Sequence, residues 1–452
     1  MKRIALLAAL ATLGACAPGY QDESHRRMDG GVATSSLPAM KSFAAPDPSS
    51  PQQSNADFVR DFLDLSFKLE SGRTLPVFTR FEQPITVRID GPAPPVMASD
   101  LNRLLFRMRQ EAGVDIHLIE SGHASVTVNA VSRREIQRFL PDAACFVAPN
   151  VSTLQDFRQA RRADLSNWGG LRSRDRLAIF LPLDTSPQEM RDCLHEELAQ
   201  AIGPLNDLYR LPDSVFNDDN IHTVLTGHDM LILRAYYDPV LQNGMTRNDV
   251  AARLPRIFAR INPKGQGLRT RALQPTPREW IIAVQTALGP GTQTRQRRLA
   301  AAEALRIAKD NGWEDHRRGF SHFVIGRMLQ LVDAEEAYGH FQTADQYFRT
   351  APSADLHRAQ VAGQIAAYHI SRGLPSVALE VIEPHIATAS KHENAALLST
   401  LMMLKSEALA LTGKTDQANE IRLDSLGWAR YGFGPDWAVR AKLREIRALY
   451  PG

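Results

Sequence analysis

The sequence predicts an α+β domain followed by an all-helical domain, on three observations. Residues 56–265 mix short alternating or fully apolar runs of strand length with amphipathic stretches at helical spacing. Beyond Pro275 the strand-like runs stop and helical periodicity continues to the end. Ahead of residue 56 lie a short apolar run and then a polar, Pro- and Ser-rich stretch. The 452 residues therefore divide into four expected segments, 1–15, 16–55, 56–265 and 276–452.

Lys2 and Arg3 precede an apolar run from Ile4 to Leu13, too short to span a bilayer and of signal-peptide length. Leu13-Gly14-Ala15-Cys16 looks like a lipobox, with cleavage before Cys16 and lipid on its sulfur. Acyl chains contribute about 0.8 kcal/mol per buried methylene, enough in combination for a lasting anchor. The alternative is an ordinary signal cut after Ala15 that leaves a free thiol. Ala17, where an aspartate would favour inner-membrane retention, leans placement toward the outer membrane. Residues 16–55 lack the apolar content to offset their ordering entropy and read as a disordered tether.

The order of elements follows from local pattern. Phe58 to Leu65 has helical spacing, and Ile85 to Ile89 alternates as a strand ending at the turn Asp90-Gly91-Pro92. Ser99 to Gly113 is an amphipathic helix with Leu101, Leu104, Leu105 and Met108 on one face. Ser125 to Val128 and Cys145 to Val147 read as strands, and Leu177 to Leu181 as a buried one. Asp184-Thr185-Ser186-Pro187 starts a helix that runs through Glu196 to Ile202. The sheet is expected to be mixed or antiparallel. Of three cysteines, Cys145 and Cys193 remain after lipidation. In an oxidising compartment they are expected to pair, closing a loop of about 48 residues and adding about 4 kcal/mol. Two separately buried thiols are the alternative.

In the helical part, Gly339 with Ala344, Gly373 with Ala378 and Gly413 with Ala418 repeat a glycine followed five residues later by alanine. This suggests a helix, a glycine turn and a second helix packed through its small residue. The pattern resembles the tetratricopeptide repeat over roughly residues 315–430, without the aromatic positions of its first helix. An ordinary helical bundle is the alternative. Repeat arrays present concave surfaces for peptides and proteins, so the resemblance implies a protein or peptide partner in the envelope.

The segment Cys193 to Asp207 carries the most chemical information. His195-Glu196 invites a zinc-binding H-E-x-x-H helix, but the fourth residue after His195 is Ala199. Gln200 lies about 140° from His195 around a helix and does not replace it. Shifted by one, the segment reads Glu196-Glu197-x-x-Gln200-x-x-Gly203-x-x-Asn206-Asp207. It resembles the metzincin metallopeptidase motif, with Glu197 on the catalytic glutamate and Gly203 on the turning glycine. Glu196, Gln200 and Asn206 fall on the three ligand positions. Ser214-Val215-Phe216-Asn217 looks like the Met-turn with Phe216 in place of methionine, and Leu225 to Tyr237 resembles the closing helix. Residues 55–265 as a whole also resemble a family of bacterial envelope proteins known only as a domain of unknown function.

Glu, Gln and Asn offer oxygen donors, two of them weak amides, where zinc prefers imidazole. Glu196 and Gln200, about 40° apart on a helix, suit a hydrogen-bonded network as well as a ligand pair. The resemblance therefore implies a degenerate, non-catalytic metzincin-like domain with no cofactor, in a lipid-anchored scaffold that faces the periplasm. The alternative is a metal-dependent peptidase or cell-wall hydrolase, with Glu197 as general base and a divalent ion held by Glu196, Gln200, Asn206 and Asp207. His195, His222 and His228 are possible substitute ligands, and Asp207, Asp218 and Asp219 possible calcium ligands. The formal charge of +3 falls to about +1 without Lys2 and Arg3, and gives no reason to invoke nucleic acid.

Overall fold

A sheet in the order β2-β1-β3-β5-β4 organises the first of two units, residues 45–274. The computed structural model describes residues 37–450 apart from 44–47, 49, 142, 164–165 and 272. The signal segment, Cys16 and the first part of the tether lie outside the described residues.

The first unit starts with α1 (Asn55–Ser66), capped by Ser54. Then follow β1 (Ile85–Asp90), α2 (Pro95–Ala112), β2 (Ile116–Leu118), β3 (Val126–Val131), α3 (Arg133–Gln137), β4 (Phe146–Pro149), α4 (Leu154–Arg162), β5 (Leu177–Pro182) and α5 (Pro187–Ile202). Two further helices, α6 (Gly227–Tyr236) and α7 (Arg247–Ile261), close the unit. Strands β2, β1, β3 and β5 are parallel, with Ile85 opposite Ile116, Val87 opposite Val126 and Val126 opposite Leu177. Only β4, at the edge, is antiparallel, with Phe146 opposite Phe180.

The sheet is mixed, as one of the two expected forms, but its parallel core makes this an α/β rather than an α+β unit. Parallel neighbours need crossover connections and cover on both faces. Strand β5 shows that cover residue by residue, since all six of its residues are buried. Leu177, Ile179 and Leu181 face the cluster formed by Leu101, Leu104, Leu105 and Met108 of α2 and Leu194 and Leu198 of α5. Ala178 and Phe180 face Ile136, Phe157 and Ala160 from α3 and α4. This period of two, buried on both sides, explains a strand with no polar face.

The second unit comprises residues 275–452 with the segment up to residue 44. It is built from α8 (Arg278–Leu288), α9 (Thr294–Asp310), α10 (His316–Leu329), α11 (Ala334–Thr350), α12 (Asp355–Ser371), α13 (Pro375–Lys391), α14 (Ala395–Leu411), α15 (Thr415–Phe433) and α16 (Asp436–Arg447). Successive helices pack on one another, and Trp280 is fully buried with its indole donating to Ser321 Oγ at 3.0 Å. No helix among the described residues is long and apolar enough to cross a membrane.

Two expectations need correction here. Gly373 and Gly413 do turn the chain with positive φ, ahead of Ala378 and Ala418. Gly339 and Ala344, however, both lie inside α11. The equivalent residue is Ala337, which like Ala378 and Ala418 is the buried fourth residue of its helix. The glycine spacing misled because the turn before α11 contains no glycine. The tether also ends earlier than residue 55. Residues 37–43 lie along α15, where Phe43 is buried against Trp428 and Tyr431.

Candidate functional site

Helix α5 carries the motif and is fixed at both ends. Ser186 caps its start by accepting from the Glu189 amide at 3.2 Å, with Pro187 in the first turn. Met190, Leu194, Leu198 and Ala201 enter the core. A disulfide joins Cys193 to Cys145 beside β4, with an S–S distance of 2.05 Å, as the two-cysteine count led us to expect. At the other end a helix leaves carbonyls without partners. Arg174, 2% exposed, fills that role. Its Nη1 donates to the carbonyls of Gln200 and Ala201 at 2.8 Å each, and its Nη2 to that of Gly203 at 2.6 Å. The hydroxyl of Tyr237 donates to the Ile202 carbonyl at 2.8 Å. A Cβ on Gly203 would stand 2.7 Å from Leu233 Cδ2 and 3.0 Å from the Ala199 carbonyl oxygen, so any side chain there requires Leu233 of α6 to shift.

Glu197, Gln200 and Asn206 are buried, and Glu196 and Asp207 half-buried. Asn206 is committed to α1, its Nδ2 donating to the Asp64 carbonyl at 2.9 Å. Gln200 and Asp207 instead meet a residue that the motif does not contain. Glu70 is exposed overall, while its shielded carboxyl end hydrogen-bonds to both. Tyr209 then donates to Asp218 Oδ2 at 2.9 Å, which draws in a further carboxylate.

Burial and mutual repulsion raise the titration points of these carboxyl groups. Burial, and then the charge of Glu70, push Glu197 up to about 8. Glu196 is held well above the carboxylate range by burial and then by Asp207, Glu197, Asp192 and Asp218. Asp207 is likewise held well above it by burial, then Glu70 and Asp218. Burial and Asp218 raise Glu70, and burial takes Asp192 to about 7. Such a set shares protons at neutral pH as a coupled group. Among the described residues, no three His, Cys, Asp or Glu side chains are grouped so as to hold one metal ion.

The turn resembling the Met-turn is held by Asp229. Its carboxylate accepts from the Ser214 hydroxyl, from the Val215 amide at 3.2 Å, and from the amide and hydroxyl of Thr226 at 2.8 and 3.0 Å. Phe216 is thereby fully buried in the core that includes Leu198 and Ile202. Each of the three histidines has another task. His195 Nδ1 accepts from the Leu225 amide at 3.0 Å, and burial holds its ring well below its usual titration range. His222 Nε2 donates to the Pro212 carbonyl at 2.9 Å. His228 stacks on Phe58 with ring centres 4.9 Å apart. Asp219 accepts from Asn217 and the Ile221 amide.

Glu70 and Arg174 are thus the residues that sequence reasoning missed. Both belong to loops outside α5, Glu70 far ahead of it and Arg174 just before β5, and neither sits in a periodic pattern.

No curated protein matches this chain. Three chains of solved structures match. One of these, described as "Crystal Structure of Rap Protein Complexed with Competence and Sporulation Factor", is 15% identical. The match covers 77% of this chain and 80% of that one, with a TM-score of 0.33. Residues 55–256 match the family described as "Protein of unknown function (DUF2927)", and this stretch of the chain is similar to that family.

Proposed function

We propose that this protein is a periplasm-facing envelope lipoprotein that acts as a protein-binding scaffold. On this reading its α/β unit is a degenerate metzincin-like domain without catalytic activity. The observation that carries the proposal is how the motif residues are spent. Asn206 binds a main-chain carbonyl of α1, Gln200 binds Glu70, and burial with the charge of Glu70 pushes Glu197 up to about 8. Asn206 and Gln200 thereby tie the end of α5 and the residues after it to α1 and to Glu70. The disulfide supports an oxidising compartment, and the lipobox-like segment supports anchoring through Cys16. The helical unit is the part that binds. It exposes Trp437, Leu299, Leu331 and Val332, apolar side chains that a partner would cover.

The test is titration of the purified chain with zinc, magnesium and calcium, followed by calorimetry. No saturable binding near one ion per chain is expected. Tight stoichiometric binding would overturn the non-catalytic reading.

One observation favours a second reading, a metal-dependent hydrolase. Asp207 Oδ1 is buried without a hydrogen-bond partner, next to several carboxyls with raised titration points. In that case the oxygen-rich set suits a hard divalent cation. Glu197 would act as general base on a water, passing its proton to the leaving amine or sugar oxygen. Ion-dependent cleavage of peptide or cell-wall substrates, lost in Glu197→Gln, would establish it.

A further inference from the structure

Residues 38–43 have the composition of a linker, yet they are held as a ligand is held. The Lys41 amide donates to the Gly427 carbonyl at 3.1 Å, and Arg430 Nη1 donates to the Pro38 carbonyl at 2.8 Å. Phe43 stacks on Trp428 with centroids 4.5 Å apart and meets Tyr431 edge-on at 6.4 Å. The Lys41 ammonium pairs with Asp424 and lies 5.5 Å from the centre of the Trp428 ring. Hydrogen bonds to the main chain hold the segment, while Trp428 and Tyr431 receive its aromatic side chain and Asp424 its cation. That division is typical of peptide recognition.

The receiving face is shaped for this segment. Gly427 lies in the interior of α15, where glycine costs about 1 kcal/mol relative to alanine. A Cβ there would stand 3.0 Å from Lys41 Cγ and 3.1 Å from the Ala39 carbonyl oxygen. The helix thus carries its least favourable ordinary residue where the segment comes closest. Phe43 is 8% exposed, whereas its neighbour Met40 points outward at 40%.

We infer that the α15 face formed by Asp424, Gly427, Trp428, Arg430 and Tyr431 is a docking site for a segment with lysine two residues before an aromatic. Residues 38–43 fill it in cis. A partner segment of the same chemistry reaches the site only by displacing them. Covalent attachment raises the local concentration of the internal segment, so the external one must bind well or arrive in several copies. This deepens the reading of the helical unit as the binding part. It does not depend on the metal titration, so either can fail alone.

The test uses a fluorescent peptide of residues 37–44 and the full chain, followed by anisotropy. Wild type is expected to take up the peptide at least tenfold more weakly than Phe43→Ala, whose internal segment is released. Lys41→Glu should show the same gain without removing a buried ring, and covers the case in which Phe43→Ala misfolds. Adding Gly427→Leu to either variant should abolish uptake while helical circular dichroism and Tm stay unchanged, which separates the loss from one of folding. Equal uptake by wild type and both variants would overturn the proposal. So would absence of uptake by both, or uptake that survives Gly427→Leu.

Discussion

Arg174 Nη1 donates to the main-chain carbonyl of Gln200 at 2.8 Å, so the end of the motif helix is held by a residue from the loop before β5. The same guanidinium also reaches Ala201 and Gly203. A cation at a helix C-terminus satisfies the unpaired carbonyls and complements the helix dipole. It is the link between the strand layer and the site.

Arg174→Met is therefore expected to destabilise the α/β unit by about 3–5 kcal/mol, since several buried carbonyls lose their donors at once. Arg174→Lys should recover only part of this, because one ammonium does not reproduce the planar fork. Hydrogen exchange would locate the loss. Amides in the last turn of α5 should exchange faster, and unchanged protection there would contradict the assigned role.

The carboxyl cluster sets a pH dependence of definite sign. Glu197 titrates at about 8 in the folded protein, above its ordinary value of 4.5. Between those values the folded state holds more protons than the unfolded one, so stability falls as pH rises. Glu196 and Asp207 act in the same direction. Tm should drop between pH 5 and pH 8.5, by an amount on the order of a few kcal/mol in stability. Glu197→Gln should flatten the slope. A Tm that rises across this interval would contradict the raised values.

The strands and α5 were legible because their signals are local. Alternation marks Ile85 to Ile89, and Ser186-Pro187 marks a helix start. The capping boxes Ser132-x-x-Glu135 and Thr153-x-x-Asp156 were equally local, but they open helices of only five and nine residues, too short to register as periodic. Ile116 to Leu118 is shorter still. The parallel core was hidden for another reason, since pairing depends on crossovers rather than on any one run. In the site, the spacing of Glu196, Glu197, Gln200 and Gly203 showed the shared helix, whereas Glu70 reaches it only through tertiary folding.

The proposed anchoring rests on one atom, the sulfur of Cys16. If Cys16 is lipidated, Cys16→Ser should abolish incorporation of labelled acyl chains and move the protein from the membrane fraction to the soluble one. Unchanged labelling would assign the lipid elsewhere or remove it from the account.

The Cys145–Cys193 bond ties β4 to the front half of α5. Thiol titration of the unfolded, unreduced chain carrying Cys16→Ser should find no reactive cysteine. The double variant Cys145→Ser and Cys193→Ser should lose about 4 kcal/mol on the chain-entropy account of loop closure. Two titratable thiols in the oxidised protein would show that the bond does not form.

Restoring imidazoles asks whether these three positions have metzincin geometry. The combined substitutions Glu196→His, Gln200→His and Asn206→His place two imidazoles one helical turn apart on α5 and a third beyond Gly203. They also remove the amide that Asn206 gives to Asp64, a loss of about 1 kcal/mol that a folded chain tolerates. Replacing Glu196 relieves the crowding of carboxyls around Glu197 and Asp207, which partly offsets that loss. One zinc ion per chain is the expected result, read by calorimetry with a competing chelator, where wild type takes up none. Bound zinc should also favour the ionised form of Glu197, because a nearby dication stabilises negative charge. Peptidase activity is expected to stay absent or feeble, since positioning a substrate depends on residues outside the motif. Failure to bind zinc, in a variant whose circular dichroism and disulfide are intact, would mean that the three positions do not face a common point. The likeness of α5 to a metallopeptidase helix would then be one of spacing alone.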